Sequence, residues 1–484
     1  MTLEQAGVAV RPGAGELELE VIDINDDREM EDIFDEVAHL PHSCFLDSSL
    51  RMPRFGGNSF IGFDPYLVLT TRGHLARFQY RDGSATESRM HPFEALRKAC
   101  GERAISAGGL PHGLPPFLSG GIGYLAYELG RYLEELPGTA VDDLGLPELA
   151  FCFYDRVIAA DNRTGRKTVV ASTPAGRGAG AVLEQALARI APGAGGSDTD
   201  GPPQAEPGTP LEFESGFTRG GYIEAVGRVK EYILAGDIFQ ANLSQRFSAP
   251  LVEPAWHLYR RLRRLNAAPF SAYLNFGGFA VASSSPERFL RVTGRHVETR
   301  PIKGTRRRSD DPKEDGRLKE ELLSSLKDRA ELSMIVDLLR NDIGRVCDYG
   351  SVHVTEHAVL ESYATVHHLV STVEGELHEG KDVMDLLHAA FPGGSITGAP
   401  KIRAMEIIDE LEPTARSVYT GGIGYIGFDG NHDINVAIRT MIISGGRVFF
   451  QVGGGIVADS DPEDEYQETL DKGKAMFDSI TGSK

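Results

Sequence analysis

The chain has 484 residues, room for about two to four domains at ~100–200 residues each, and a chain this long buries roughly three quarters of its unfolded surface without a metal or disulfide staple. Seventy acids against 50 Lys and Arg leave a net charge of −20, which argues against nucleic acid or an anionic membrane as a partner. With 41% apolar and 25% charged residues the composition is that of a globular protein, and no stretch approaches the ~18 apolar residues of a membrane span.

The first residues, Met1-Thr2-Leu3-Glu4-Gln5, lack the basic start and apolar core of a secretory signal. Cys44, Cys100, Cys152 and Cys347 are too far apart for a CxxC motif. A reduced cytoplasmic protein is the expectation. From Pro192 to Pro210 the chain reads PGAGGSDTDGPPQAEPGTP, with no large apolar residue, the composition of a linker. The expected organisation is therefore an N-terminal domain over 1–191, a flexible linker over 192–212 and a second domain over 213–484. Asp311-Pro312 opens a helix, and apolar residues at four-residue spacing (Leu318, Leu322, Leu326, Ala330, Met334) beside Leu332, Ile335, Leu339 and Ile343 predict one long helix over 312–344. Strands are predicted at 424–428, 433–443 and 447–452, separated by the turn sequences Asp429-Gly430-Asn431 and Ser444-Gly445-Gly446. A last helix is predicted from Asp461-Pro462 to about residue 480. Strands clustered between separate helices predict an α+β fold with antiparallel sheets rather than a Rossmann sheet.

Four groups of residues can carry chemistry. Asp328 and Glu331 lie three apart on the long helix, as do Glu465 and Glu468 on the last one, so each helix can turn two carboxylates to one point. Such oxygen donors suit a hard divalent cation; a solvated acidic face, with Glu468 pairing to Lys472, is the alternative. Lys303 stands in PIKGT, followed by Arg306, Arg307 and Arg308; as a nucleophile it would need burial or neighbouring cations to lose its proton, and otherwise it is a surface cation. The glycine-rich stretches 391–401 (FPGGSITGAPK) and 451–455 (QVGGG) offer backbone N–H groups to an anion or are tight turns; the first is no Walker A loop, because Ala399 and Pro400 separate the last glycine from Lys401. Arg439 sits mid-strand among Asn435, Ala437 and Met441, placed either to clamp an anion or to face solvent. The run Arg260-Arg261-Leu262-Arg263-Arg264 reads as a solvated helix face, and His367-His368 puts one imidazole on each side of a strand.

Together these residues resemble the chorismate-utilising enzymes over almost the whole chain. The matching blocks are GDIFQANLSQRF (236–247), SSPERF (284–289), PIKGT (301–305), KDRAELSMIVDLLRNDIGRV (327–346), VHHLVS (366–371), FPGGSITGAPK (391–401), YTGGIGY (419–425) and DPEDEYQETLDKGKAM (461–476). FLDSS (45–49), SFIGFDP (59–65) and GGIGYLAYELGR (120–131) resemble the companion N-terminal half, less specifically. The fold this implies is a sandwich of antiparallel sheets with helices on the outside. PIKGT is similar to the aminodeoxychorismate synthase branch, where anthranilate synthases usually read PIAGT.

The resemblance implies a role for each candidate. Lys303 would attack C2 of chorismate as the C4 hydroxyl leaves, and ammonia entering at C4 would expel it, giving 4-amino-4-deoxychorismate on the way to p-aminobenzoate and folate. Glu287 would be the acid that protonates the leaving hydroxyl, which is otherwise a poor leaving group. Asp328, Glu331, Glu465 and Glu468 would hold Mg²⁺. Tyr419 and Arg439 would bind the enolpyruvyl carboxylate, with backbone donors from Gly453, Gly454 and Gly455. Gly304, Thr305 and Thr397 would line the pocket, His368 would lie near the ring and Lys472 near the carboxylates. Gln240 replaces the lysine of water-using relatives, favouring ammonia. No cysteine stands in a Gly-x-Cys-x-Gly elbow, so ammonia is expected from a separate glutaminase subunit, and no room is left for a fused lyase. A tryptophan pocket would involve Ser48, Pro269, Phe270 and Ser271. The alternatives are an anthranilate synthase or dual-function enzyme, and a tryptophan-binding regulatory paralogue without turnover.

Overall fold

The computed structural model describes residues 2–10, 17–50, 55–105, 110–174, 177–195, 211–251, 253–362 and 366–482. Within them two large antiparallel sheets face each other. The first runs, in spatial order, Thr2–Val10, Leu17–Asn25, Lys167–Pro174, Arg156–Asp161, Asn58–Gly62, Cys44–Asp47, Phe270–Asn275, Phe279–Ser285, Thr440–Ser444, Arg447–Ile456, Gln240–Pro250 and Glu214–Ser215, with Gly398–Ala399 also on the Gln240 end. The second runs Ile302–Arg307, Val366–Glu376, His296–Arg300, Arg288–Thr293, His432–Val436, Gly422–Gly427, Gly120–Leu125, Leu149–Tyr154, Leu67–Arg72, Leu75–Tyr80 and Ala85–Arg89, with His353–Ser362 also on 366–376. Both sheets draw strands from either side of the glycine- and proline-rich segment, most of which (196–210) lies outside the described residues.

Burial explains the layering. One core cluster, with Cys44, Phe60, Tyr124, Cys152, Ala272 and Val281, fills the space between the sheets. Two larger ones lie outside, where helices Pro92–Gly101, Leu326–Gly344 and Val383–Ala390 cover the second sheet and Met30–Asp35, Ala255–Leu265 and Pro462–Thr481 cover the first. Central strands covered on both faces read as unbroken apolar runs; Leu149–Tyr154 (LAFCFY) is buried at every position. Among the described residues no helix is long and apolar enough to cross a membrane.

Three expectations are corrected. The long helix over 312–344 is two helices, Pro312–Ser324 and Leu326–Gly344, broken at Ser325. Ser325 has extended backbone and accepts from the Asp328 N–H at 3.2 Å, so it caps the second helix. The break changes phase: Leu332, Ile335, Leu339 and Ile343 are buried while Leu326 is exposed. The strand over 433–443 is likewise two, His432–Val436 and Thr440–Ser444, in different sheets. Arg439 is therefore not mid-strand but at the crossover, with φ 53°. The arginine run is not a solvated face either: Arg260, Arg263 and Arg264 reach Glu31, Arg263 also reaches Asp47, and Arg261 pairs with Glu253, fastening helix 255–265 to helix 30–35.

Close strand approach at Gly123 supplies a stability test. A Cβ there would lie 2.0 Å from the Ala150 carbonyl oxygen and 2.7 Å from Phe151 Cα, backbone that cannot step aside. Gly123→Ala should cost about 1–3 kcal/mol, the usual range for an overpacked core, seen as a lower midpoint in urea with an unchanged slope; a midpoint equal to wild type would contradict this packing.

Candidate active site

Two crossovers between the sheets build the centre of the site. Glu287 lies between strands 279–285 and 288–293, and Arg439 between 432–436 and 440–444. The crossovers are bonded to one another: the Val436 N–H donates to the Glu287 carbonyl at 3.0 Å, and the Ser284 N–H to the Arg439 carbonyl at 3.0 Å. A non-glycine residue at positive φ is uncommon and costs about 1–3 kcal/mol; at Arg439 it accompanies the change of sheet.

Lys303 is on the edge strand 302–307, paired with strand 366–376. Its ammonium donates to the Ser395 carbonyl at 3.4 Å, and burial pushes its pKa down against the opposing pull of Glu331, Glu287 and Glu468, with Lys472 adding to the fall. Glu287 is buried, which raises its carboxyl to about 7 although the Ser395 side chain, Lys303 and the Ile302 backbone all favour the ionised form. Nucleophile and acid candidates thus share one neighbour, Ser395, in the glycine-rich loop over 391–401. Gly304 has φ 74°, and a Cβ on it would lie 2.8 Å from Leu322 and 2.9 Å from the Asp328 carboxyl carbon; helices 312–324 and 326–344 press directly on this strand. Thr305 meets His368 Nδ1 at 2.8 Å. Burial, more than the nearby Arg439 charge, lowers His368 to about 4. His367 faces the other way, with Nε2 2.8 Å from Asp315.

The acids come from two helices. Glu331 is raised, first by burial and then by Asp328 and Glu468, while Lys303 and Lys327 oppose. Glu465 is raised by burial and accepts from Ser460 at 2.6 Å. Burial pushes Glu468 up too, but Lys472, Lys327 and Lys303 outweigh it and hold it below its ordinary value. The pairing of Lys472 with Glu468, part of the alternative to a cation site, is present at 2.6 Å, and Lys472 also donates to the Gly453 carbonyl at 3.0 Å. A point one Cβ above Gly454 is 3.1 Å from Glu465 Oε2, 3.4 Å from Glu468 Oε1 and 3.7 Å from Lys472 Nζ, so glycine here leaves room at the place where two carboxylates converge. Asp328 turns instead to Arg306, 3.4 Å away. Among the described residues no three His, Cys, Asp or Glu side chains are gathered closely enough to hold a metal ion in this geometry. The donor chemistry nevertheless suits a hard cation.

On the other wall stand Arg439 and Tyr419. Among the described residues neither the Arg439 guanidinium nor the Tyr419 hydroxyl has a hydrogen-bond or ion-pair partner. Burial lowers Arg439 and raises Tyr419 to about 12, and each partly offsets the other's shift. An unpaired, half-buried guanidinium beside a phenol is a site for an anion. Gln240 is buried, with no partner for its Oε1, and its Nε2 fills the space where a Cβ on Gly455 would stand, 2.0 Å away. Thr397 is buried and turns its hydroxyl onto the Gly393 carbonyl at 3.1 Å, which holds the loop's turn.

Apart from this site, a cavity of about 300 Å³ opens between the sheets, lined by Ser48, Pro269, Phe270 and Ser271 together with Phe55 and Arg288. The guanidinium of Arg288 lies 4.9 and 5.0 Å from the Phe55 and Phe270 rings and pairs with Asp433 at 2.8 Å. Arg288 directly follows Glu287 in sequence, so cavity and site share a wall.

Residues 56–478 match the family model of the chorismate binding enzymes. The chain belongs to this family. It is 43% identical over 432 residues to an anthranilate synthase component 1 of Cereibacter sphaeroides, covering 87% of this chain and 85% of that one. It is 42% identical over 446 residues to an aminodeoxychorismate synthase component 1 of Salmonella typhimurium, covering 91% and 94%. The solved anthranilate synthase component I of Streptococcus pneumoniae superposes with a TM-score of 0.76 at 32% identity, covering 88% of this chain and 93% of that one. As a chorismate-binding family member, the chain is a chorismate-utilising enzyme.

Glu287 gives a test of the site's electrostatics. A carboxyl raised from 4.5 to about 7 binds its proton more tightly folded than unfolded, so its contribution to stability is full below its unfolded pKa and is lost as pH rises toward its folded one. Glu287→Gln does not titrate, so its stability relative to wild type should climb between roughly pH 4.5 and 7 and level off above. Paired thermal melts at pH 5 and pH 8 measure the change; a difference that is the same at both would place the carboxyl in water.

Proposed function

We propose that the chain is the large component of an aminodeoxychorismate synthase, exchanging the C4 hydroxyl of chorismate for an amino group. The observation that carries this reading is Lys303, an amine beside the buried acid Glu287, its proton made easier to lose by desolvation. Its relatives bear both synthase names at similar identity, so the choice rests on the chemistry that residue 303 permits.

On this reading neutral Lys303 bonds to C2, both ring double bonds shift, to C1=C6 and C4=C5, and the C4–O bond breaks as Glu287 gives its proton to the departing hydroxyl, which leaves as water. Ammonia then bonds to C4, both double bonds shift back, and the C2–N bond breaks to release Lys303 as a neutral amine. The extra proton on the new C4 nitrogen returns to Glu287, so the cycle closes. Arg439 and Tyr419 would hold the enolpyruvyl carboxylate, and Gln240, with no basic group to activate water, leaves ammonia as the nucleophile. Glu331, Glu465 and Glu468 would hold Mg²⁺, with Asp328 at the border beside Arg306. An ion bound there would neutralise the ring carboxylate, which could not otherwise lie among acids. Ammonia would come from a glutaminase partner. Tryptophan would fill the 300 Å³ cavity beside Phe55 and Phe270.

With chorismate, Mg²⁺ and ammonium, the purified protein should form an aminated product that an added lyase turns into p-aminobenzoate; fluorescent anthranilate as the main product would overturn the assignment. Lys303→Ala should lower C4 amination by about 100-fold or more, the scale of losing an activated catalytic group, while chorismate still binds in calorimetry. A C4 product formed at the wild-type rate would remove the covalent step. Chelation should abolish turnover and Mg²⁺ should restore it. L-Tryptophan should raise the melting temperature of wild type but not of Ser48→Phe, whose side chain would project into the cavity; equal shifts in both would locate tryptophan elsewhere.

A further inference from the structure

We propose that Arg416, held by Glu412, is a positioning residue that sets the distance between the anion-binding wall and the rest of the chorismate site. It lies outside every group named above as touching substrate, and it is 2% exposed.

All of its side-chain nitrogens are used. Nε and Nη2 bond the two Glu412 carboxylate oxygens at 2.8 and 2.6 Å, a bidentate pair. Nη2 also donates to the Asn242 carbonyl at 2.5 Å, and Nη1 to the Ile396 carbonyl at 3.1 Å and Thr420 Oγ1 at 3.3 Å. Each of these segments carries a site residue. Asn242 is two residues from Gln240 on strand 240–250, Ile396 lies between Ser395 and Thr397, and Thr420 follows Tyr419. Glu412 extends the same hold, accepting from the Ser244 N–H and hydroxyl at 2.8 and 2.9 Å.

The turn that Arg416 opens is also tied to the Arg439 crossover. Thr420 N–H donates to the Ala437 carbonyl at 2.8 Å, and Ala437 N–H to the Gly421 carbonyl at 2.9 Å. Ser417 and Thr420 both have positive φ, 55° and 59°, a conformation that persists only where the surroundings impose it. The guanidinium further lies 4.7 Å from the Tyr127 ring centre and 5.8 Å from that of Tyr419. A planar fork with five donors can reach all of these acceptors at once; a lysine ammonium can reach only some. The substrate-facing groups governed this way are Tyr419 and, through residue 437, Arg439, which bind rather than react. The consequence of loosening them is weaker substrate binding.

The inference rests on Tyr419 and Arg439 binding substrate, not on which product forms, so the assay follows chorismate consumption. Arg416→Lys keeps the charge opposite Glu412, and the double variant Arg416→Met/Glu412→Gln removes both charges together, since one alone would leave its partner buried and uncompensated. In each variant that unfolds cooperatively, KM for chorismate should rise about 10- to 100-fold, the scale of a displacement of about 1 Å, with kcat changed much less, and calorimetry should show chorismate affinity falling in parallel. A folded Arg416→Lys with wild-type KM and affinity overturns the proposal. So does a fall in kcat at unchanged KM, which would mean only that less of the protein is active. If the double variant does not fold, Arg416→Lys decides alone. Failure of the substrate-site reading is recognised separately: Arg439→Met would then leave chorismate affinity untouched.

Discussion

The site depends on a chain that changes sheets twice at the same place. Strands 279–285 and 440–444 are neighbours in one sheet, and strands 288–293 and 432–436 are neighbours in the other, so the two connections must run side by side across the gap. Their mutual hydrogen bonds, Ser284 to Arg439 and Val436 to Glu287, satisfy backbone groups that neither ladder can reach. A carboxyl and a guanidinium are thereby delivered to the interior from the two crossovers. Burial then does the chemical tuning, raising Glu287 and lowering Arg439 and Lys303 by the same desolvation.

Charge explains the arrangement of the remaining groups. Glu331, Glu465 and Glu468, facing one poorly solvated pocket, would repel one another. Lys303, Lys327 and Lys472 stand among them, and their pull is visible in Glu468, which burial alone would have raised. Lys472 bonds both Glu468 and the Gly453 carbonyl, so a cation entering above Gly454 would compete with an ammonium already there. The missing side chain at 454 keeps that space open.

Much of this was legible in the sequence, for local reasons. Asp461 caps its helix at both Glu463 and Asp464, with Pro462 in the first turn, so the start of the last helix and the shared face of Glu465 and Glu468 followed from neighbouring residues. Opposite orientation of His367 and His368 followed from the two-residue period of a strand. The crossover at 437–439 was not legible, because Ile434, Val436 and Ile442 keep alternating through it and both halves remain buried. The break at Ser325 was hidden in the same way by leucines four apart. Ser395 and Arg416 escaped because their partners are long-range: Lys303 lies 92 residues from Ser395, and Asn242 lies 174 from Arg416.

The neighbouring cavity obeys the same geometry. Alternation along strand 288–293 sends successive side chains to opposite faces, and Glu287 stands immediately before its first residue. One backbone segment therefore turns a carboxyl toward Lys303 and the next side chain toward Phe55 and Phe270. Arg288 is fixed there by Asp433 and Glu298, and its backbone pairs with Asn435, one residue before the bond to the Glu287 carbonyl. Asn435 in turn accepts from the Ile423 N–H at 2.9 Å and donates to the Phe270 carbonyl at 2.9 Å. These contacts run through both sheets, so one continuous set of hydrogen bonds joins the cavity wall to the crossover that carries Glu287.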